Sequence, residues 1–492
     1  SVASRGLGDV YKRQTQYYSV TLPWLIKKQT IRMALIKSIS GIRGTIGGEP
    51  GNNLTPIDAV KFAAAYGTWL RENKTKQSLS VVIGRDARIS GEMISQLVSN
   101  TLIGLGIHVI DLGLSTTPTV EVMVPKLDAD GGIILTASHN PKEWNALKLL
   151  NEQGEFISAA EGQKILDLAE KEAFQFAKVD DLGQYKSYTT AIDEHIEMIL
   201  ALPLVNKEAI QAKNFKVVID AVNSTGGIAI PKLLDQLGVS YIKLYCEPNG
   251  HFPHNPEPLK EHLTDISKKV VEEKADFGIV VDPDVDRLAL INEDGSMFGE
   301  EYTLVAVADY VLSKTPSATV SNLSSSRALS DIAKKYGQIY EPSAVGEVNV
   351  VEKMKELNAK IGGEGNGGII YPELHYGRDS LVGIALFLTH LAEQNKKVKE
   401  LRDTYPAYYM AKKKIELTPE VDVDQILENI QNHYKDTNIN TIDGVKIDFD
   451  DEWIHLRKSN TEPIIRIYTE STSQEKAEAL ADSVIEKIKH IV

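Results

Sequence analysis

The stretch GGIILTASHNPKEWNALKLL (residues 131–150) runs from a continuous apolar segment into an abrupt polar turn and back into a second apolar segment. The first segment reads as a strand buried on both faces, as in a parallel α/β sheet. Asn140-Pro141 ends it, because proline drives the residue before it away from helical backbone and favours a turn. NALKLL can then return beside the first strand and carry Lys148 back toward Ser138. Ligands of α/β sheets gather at the carboxyl ends of strands, where Ser138 and His139 fall. Serine is a poor nucleophile unless a base or a bound phosphate activates it. No G-x-S-x-G elbow is present, so a hydrolase triad is disfavoured. The plain alternative is a surface turn whose serine and histidine bond only to backbone.

The same alternation extends in both directions. SLSVVIGRD, HVIDLG and GGIILTAS read as strands separated by the helices GEMISQLVSNTLIGLG and TPTVEVMVPKL. A second round begins at NFKVVIDAVNS and reaches DFGIVVDPDVDRLALI; a third runs from SATVSNLSSS to the helix SLVGIALFLTHLAEQ. Continuous apolar strands alternating with amphipathic helices predict layered α/β domains. VVIGRD and VVIDAV stand at equivalent points of two rounds and hint at an internal repeat. The last 90 or so residues change character. GVKIDFDDEWIHLRKSN and PIIRIYTES read as antiparallel neighbours, and SQEKAEALADSVIEKIKHI as a closing helix, so a separate α+β domain is expected.

The length of 492 residues is too great for one core and indicates about three or four domains. The predicted limits are 33–187, 188–296 and 297–404 for three α/β domains, and 405–492 for the last. Residues 1–32 hold six basic residues and one acid and are read as an extension outside the native fold, with a transit peptide as the alternative. Net charge is −14, and about −19 without that segment, which opposes binding to nucleic acid or anionic lipid. No apolar run approaches the roughly 18–20 residues of a membrane span. The single cysteine, Cys246, excludes an intrachain disulfide and fits a cytoplasmic setting.

Three further loops carry chemistry. In VVDPDVDRL, Asp282, Asp284 and Asp286 alternate after an apolar strand. Three such carboxylates repel one another without a cation, and all-oxygen ligation suits Mg²⁺ or Ca²⁺. An EF-hand does not fit, since Arg287 stands where its glycine is needed and the flanks are strand. An aspartyl-phosphate nucleophile at Asp282 is the stronger rival, and three solvated acids the plain one. In GGEGNGG (362–368), glycines let backbone approach a ligand, while Glu364 and Asn366 can bond vicinal sugar hydroxyls; a plain turn is the alternative. In RKSNTEPIIRIY (457–468), Arg457 and Arg466 offer forks that match phosphate oxygens. Ser459, Asn460 and Thr461 can turn backbone N–H groups toward an anion. An exposed structural turn is again the alternative.

Together TASHNP, DPDVDR, GEGNGG and RKSNTEP, in this order from Met33 to the C-terminus, resemble the α-D-phosphohexomutase family, which includes phosphoglucomutases, phosphomannomutases and phosphoglucosamine mutases. The resemblance implies four domains around a central cleft, three related and α/β with mixed sheets and a smaller C-terminal one able to hinge. It implies an isomerase that keeps a phosphate on Ser138 and passes it to a sugar monophosphate through a bisphosphosugar. Lys148 would act as general acid/base with His139 assisting, its pKa lowered by a crowded cationic site. Mg²⁺ would be held by Asp282, Asp284, Asp286 and the phosphoserine, and Arg43 and Arg287 would stabilise the transferring phosphoryl group. Glu364 and Asn366 would read the sugar; Arg457, Ser459, Asn460, Thr461 and Arg466 would anchor the other phosphate. A hexose or hexosamine bisphosphate would activate the enzyme, sugar phosphates would be its partners, and it would be a monomer or homodimer. Many members have two glycines between the aspartates, so DPDVDR implies a stiffer loop; many have Ser and His in place of Asn366 and Gly368. GEGNGG with RKSNTEP resembles sequences placed with phosphoglucosamine mutases, so glucosamine 6-phosphate is the first expected substrate and mannose or glucose phosphates the second. A sugar phosphatase using Asp282 and a non-catalytic sugar-phosphate binder are the readings from other classes.

Overall fold

A computed structural model describes residues 35–38, 41–76, 78–417, 422–458 and 464–491. The expected extension 1–32 lies outside the described residues. Four sheets follow one another along the chain, of seven, four, four and five strands.

The first three sheets repeat one unit. In each, two strands joined by a helix lie parallel, a second helix leads to a third parallel strand, and a hairpin brings back an antiparallel fourth. The first strands are Ser80–Arg85, Lys216–Asp220 and Thr319–Asn322, and the third strands are Gly131–Leu135, Phe277–Val281 and Ile361–Glu364. Each third strand pairs parallel with its first strand and antiparallel with Trp144–Leu150, Leu288–Ile291 or Gly368–Ile370 respectively. VVIGRD and VVIDAV are thus both first strands, and the repeat extends to a third copy whose sequence hides it. Three of the chemically loaded loops occupy the same hairpin of their units, beyond the carboxyl end of the third strand. The first sheet gains Gly41–Thr45 and Ile36–Ser38 beyond its fourth strand and Tyr185–Ser187 beyond its second.

The fourth sheet is wholly antiparallel, in the order Tyr409–Glu416, Ile464–Ser471, Trp453–Lys458, Val445–Asp448, Asn438–Asn440. The stretch GVKIDFDDEWIHLRKSN, read above as one strand, is two, because Asp448–Trp453 closes a hairpin with Phe449 N–H donating to the Glu452 carbonyl.

Helix Ser380–Gln394 is apolar on nearly every face and buried along most of its length, the expected fate of such a helix. It joins the second and third sheets into one core with helices Gly226–Leu237 and Glu300–Lys314. The first and fourth sheets have cores of their own. Among the described residues no helix is long and apolar enough to cross a membrane.

Candidate active site

The serine hairpin is built by a buried arginine. Arg88 donates through Nε to Asp86, through Nη1 to the carbonyls of Pro141 (2.6 Å) and Trp144 (2.9 Å), and through Nη2 to those of Ser138 and Asn140. All five guanidinium protons are used, so the fork fixes the whole turn in one geometry. Asp86 is fixed in turn by the Thr136 hydroxyl at 2.7 Å. Ser138 itself has φ +49°, a backbone strain of the kind that gathers at functional sites. Its hydroxyl donates to Asp282 Oδ2 at 2.7 Å, and His139 Nδ1 lies 3.4 Å from it. Burial, reinforced by Arg287 and Arg43, holds the His139 imidazole well below its ordinary pKa, so it is neutral. Arg43 reaches the same hairpin and donates to Asn140 Oδ1 at 2.8 Å.

Asp282, Asp284 and Asp286 are fully buried, and one carboxylate oxygen from each falls within 4.8 Å of the others. Asp282 Oδ1 accepts from the Asp286 and Arg287 N–H groups, while the Thr117 hydroxyl donates to Asp284 at 2.6 Å. Asp284 Oδ1 and Asp286 Oδ1 are buried without any hydrogen-bond partner. Orphaned hard oxygens in a buried carboxylate trio fit a divalent cation of the Mg²⁺ type. Burial, then repulsion by Asp286 and Asp284, pushes the Asp282 carboxyl well above its ordinary pKa. Burial opposes ionisation of Asp284 too, but the Lys148 ammonium and the Thr117 hydroxyl outweigh it and hold that carboxyl low.

Lys148 Nζ lies 2.7 Å from Asp284 and 3.5 Å from Asp286. The expectation of a lowered lysine pKa is reversed here. Burial pulls it down, but Asp284 and Asp286 outweigh both that and the repulsion from Arg378, and the net shift is upward. The nearest charges are carboxylates rather than cations. Arg287 contacts Glu257 at 3.4 Å through Nη1, and its Nε is buried without a partner.

In the third hairpin Glu364 accepts from Asn322 (2.7 Å) and the Gly346 N–H (3.2 Å) through Oε1, and from Arg378 (2.8 Å) through Oε2. Burial would raise this carboxyl, but Arg378 and Asn322 hold it below its ordinary range. Asn366 turns back on the loop, accepting from the Gly368 N–H at 3.2 Å. Arg378 also reaches Asp286 at 2.6 Å and Glu347 at 3.0 Å, so one guanidinium ties the aspartate hairpin to the glycine hairpin.

In the fourth sheet Arg457 and Arg466 are direct cross-strand partners, and Arg457 Nε is held by Asp443 at 2.8 Å. Ser459, Asn460 and Thr461 lie outside the described residues. A single cleft of about 850 Å³ is lined by residues of all four units: Ser138 and Lys148, Arg287, Glu364 and Asn366, and Arg457 with Arg466. His139 and Arg43 also face it, and Asp282 and Asp284 contact its Ser138 and Lys148 respectively. The volume suits a small ligand, and its cations meet the requirement that an acidic chain needs a dedicated basic pocket to hold a phosphate.

Arg88, Thr117, Glu347 and Arg378 escaped the sequence reading. Arg88 acts through carbonyls about 50 residues away, which leave no mark in sequence, although GRDAR directly after a strand end was a usable signal. Thr117 reads as part of a helix start, which it also is. Arg378 precedes Asp379, whose side chain caps helix Ser380–Gln394; Arg-Asp before an apolar run was the available cue.

The chain matches four family descriptions in order: phosphoglucomutase/phosphomannomutase alpha/beta/alpha domain I over residues 35–176, domain II over 193–295, domain III over 299–408, and the C-terminal domain over 393–487. It is 37% identical over 441 residues to a phosphoglucomutase/phosphomannomutase of Thermococcus kodakarensis, covering 89% of this chain and 94% of that one. It is 33% identical to a phosphoglucosamine/phosphogalactosamine mutase of Sulfurisphaera tokodaii, covering 94% and 99%. A crystal structure of a phosphoglucomutase/phosphomannomutase family protein from Burkholderia thailandensis superposes with a TM-score of 0.79 at 25% identity, covering 92% of this chain and 96% of that one. Four matched domains in sequence, on a fold whose repeated hairpins converge on one cleft, make this chain a member of the phosphoglucomutase/phosphomannomutase family of phosphohexomutases, which are isomerases.

Proposed function

We propose that the protein moves a phosphate between O6 and O1 of a hexosamine, interconverting glucosamine 6-phosphate and glucosamine 1-phosphate, and that it works in the cytoplasm. The observation that carries this reading is the convergence of Ser138 and Lys148 on three buried aspartates, in one cleft with the Arg457–Arg466 pair. Ser138 Oγ carries the phosphate. The sugar hydroxyl attacks phosphorus in line, the bond to Ser138 Oγ breaks, and a bisphosphosugar forms. With a cation on Asp284 and Asp286, the two carboxylates that hold Lys148 as an ammonium would be engaged, leaving burial to lower its pKa. Lys148 then takes the hydroxyl proton and, in the return half, gives it to the departing sugar oxygen. The bisphosphosugar reorients in the cleft, and its other phosphate goes back to Ser138. A hexosamine or hexose bisphosphate can phosphorylate Ser138 by the same route and so activates the enzyme.

Asp282, Asp284, Asp286 and the phosphoserine would hold Mg²⁺, which supplies charge neutralisation for the phosphoryl oxygens. Arg43 and Arg287 stabilise the group in transfer; the unpartnered Arg287 Nε leaves a donor for it. Neutral His139 assists Ser138 as an acceptor. Glu364, oriented by Arg378, and Asn366 read sugar hydroxyls. Arg457, Ser459, Asn460, Thr461 and Arg466 anchor the phosphate that does not react. Domain limits at 187/188, 296/297 and 404/405 keep each hairpin in its own domain. The separate core of the last domain supports its hinging to close the cleft and exclude water.

A phosphomannomutase/phosphoglucomutase is the second reading, favoured by the name of the Thermococcus relative. Side-by-side turnover of glucosamine 6-phosphate, mannose 1-phosphate and glucose 1-phosphate, with Mg²⁺ and a trace of bisphosphate, separates the two. A kcat/KM preference for the amino sugar is expected; equal or better use of the neutral sugars overturns it in favour of the second reading.

A further inference from the structure

Outside the catalytic residues and the lining of the cleft, the described residues hold a second cluster of possible metal ligands. His195 sits on helix Ala191–Leu200, His375 on the loop after the third hairpin, and Asp379 at the cap of helix Ser380–Gln394. His195 and Asp379 are completely buried, and His375 is 9% exposed. His195 Nε2 lies 3.1 Å, and His375 Nε2 3.5 Å, from the same oxygen, Asp379 Oδ2. The other oxygen, Oδ1, is engaged in capping the helix, so Oδ2 is left to the two imidazoles.

The remote ring nitrogens are also placed. His195 Nδ1 meets the Thr119 hydroxyl at 3.0 Å, and His375 Nδ1 faces Glu121 Oε2 at 3.5 Å. Thr119 and Glu121 both belong to helix Thr117–Lys126. A hydroxyl or carboxylate on Nδ1 can hold the imidazole proton there and free the Nε2 lone pair for an ion, the arrangement that metal-bound histidines adopt; without an ion, His195 Nε2 is hydrogen-bonded to Asp379 Oδ2 at 3.1 Å. One ligand atom from each of His195, His375 and Asp379 thus falls within 4.8 Å of the others. Both nitrogens of His375 and both oxygens of Glu121 are buried without a hydrogen-bond partner, against the rule that buried polar groups are satisfied. Gly377 completes the fit: a Cβ there would stand 2.1 Å from Glu121 Oε2.

We propose that His195 Nε2, His375 Nε2 and Asp379 Oδ2 bind a zinc-class transition-metal dication, with a solvent molecule as fourth ligand. Donors bound tetrahedrally to zinc lie about 3.3 Å apart, which matches the two nitrogen–oxygen separations. Two imidazoles favour a borderline metal over the hard cation that suits the all-oxygen aspartate trio. The ligands come from the second and third repeats, and the groups that orient them from the first. The ion is therefore a clip across three domains, and it fixes the loop whose Arg378 reaches Asp286, Glu347 and Glu364. This inference does not rest on the identity of the sugar.

The test uses the full chain prepared without a polyhistidine tag. After exposure to zinc and desalting, metal content is measured by mass spectrometry, and anomalous scattering at the zinc edge locates the ion in crystals. The expected result is a single zinc per chain, with its peak among His195, His375 and Asp379. Zinc retention should fall at least 10-fold in His375→Gln and be unchanged in Asp282→Asn, which alters only the other cluster. Cobalt should give the intense visible absorption of a tetrahedral site in the wild-type chain. No anomalous peak at these residues, undiminished zinc in His375→Gln, or loss of zinc in Asp282→Asn overturns the proposal. Should His375→Gln not fold, the wild-type anomalous map and cobalt spectrum decide alone.

Discussion

The Ser138 hydroxyl donates to Asp282 Oδ2 at 2.7 Å, although 144 residues separate the two. The contact joins the hairpins of the first and second repeats, and each hairpin is held independently: the first by Arg88, the second by backbone N–H groups folded onto Asp282. With a phosphate on Ser138, two anions would meet where a hydroxyl now donates. That is a reason for a cation at this point, and for the two orphaned aspartate oxygens beside it.

Arg466 faces Arg457 across adjacent strands, an arrangement that disfavours the empty fold by about 0.2–1 kcal/mol and favours a bound dianion. Arg466→Met should therefore act in opposite directions. Urea denaturation without anions should show equal or slightly greater stability. Steady-state kinetics should show KM for the sugar phosphate raised about 10-fold or more, as for loss of a charge-assisted hydrogen bond, with a smaller change in kcat.

Lys148 neutralises Asp284 and Asp286 in the absence of any ion. Lys148→Met should lower kcat by about 10²–10⁴-fold, the usual contribution of a positioned acid/base. The same change removes a cation competing for the aspartates, so half-saturation by Mg²⁺ should move to lower concentration. A titration of activity against Mg²⁺ reads both effects.

Arg378 compensates three buried carboxylates at once. Removing one partner of such a network leaves uncompensated buried charge and costs about 3–5 kcal/mol. Arg378→Met should destabilise the chain by that amount in equilibrium denaturation. Arg378→Lys should recover only part of it, since an ammonium cannot span Asp286, Glu347 and Glu364 together.

Burial depresses His390 and His455 to about 4. In the unfolded chain each takes its proton near 6.5, so between these values the unfolded state binds more protons and stability rises with pH. The contribution is complete above about pH 6.5 and is lost as pH falls through about 4. His390→Gln should flatten the stability slope between about pH 5 and 7; an unchanged slope would contradict the assignment.

The hairpins were readable because each sits between apolar strands and carries residues that no core would hold. The third repeat was harder to see, since its third strand, Ile361–Glu364, is half glycine and lacks the β-branched signature of the other two. Side chains that act on backbone, as Arg88 does, or that bridge hairpins, as Arg378 does, need the fold before they acquire meaning. Val285 shows the same limit. The stiffer aspartate loop expected from DPDVDR includes a β-branched residue at φ +66°, which L residues avoid. Strain of about 1–3 kcal/mol is offset by full burial of the isopropyl group, worth about 1.5–3 kcal/mol. Its N–H donates to the Asp282 carbonyl at 3.1 Å and its carbonyl accepts from Ser380 at 3.1 Å, so the loop is tied down on both sides.

The most direct test of the account is to find where the phosphate resides. The purified chain is incubated with ³²P-labelled hexose bisphosphate and Mg²⁺, digested, and mapped by mass spectrometry, with Ser138→Ala as control. The account predicts an acid-stable phosphoester on Ser138, absent from Ser138→Ala, that passes to added sugar monophosphate. A hydroxylamine-labile label on Asp282, or full turnover by Ser138→Ala, would contradict it and favour a phosphatase that uses the aspartate as its nucleophile.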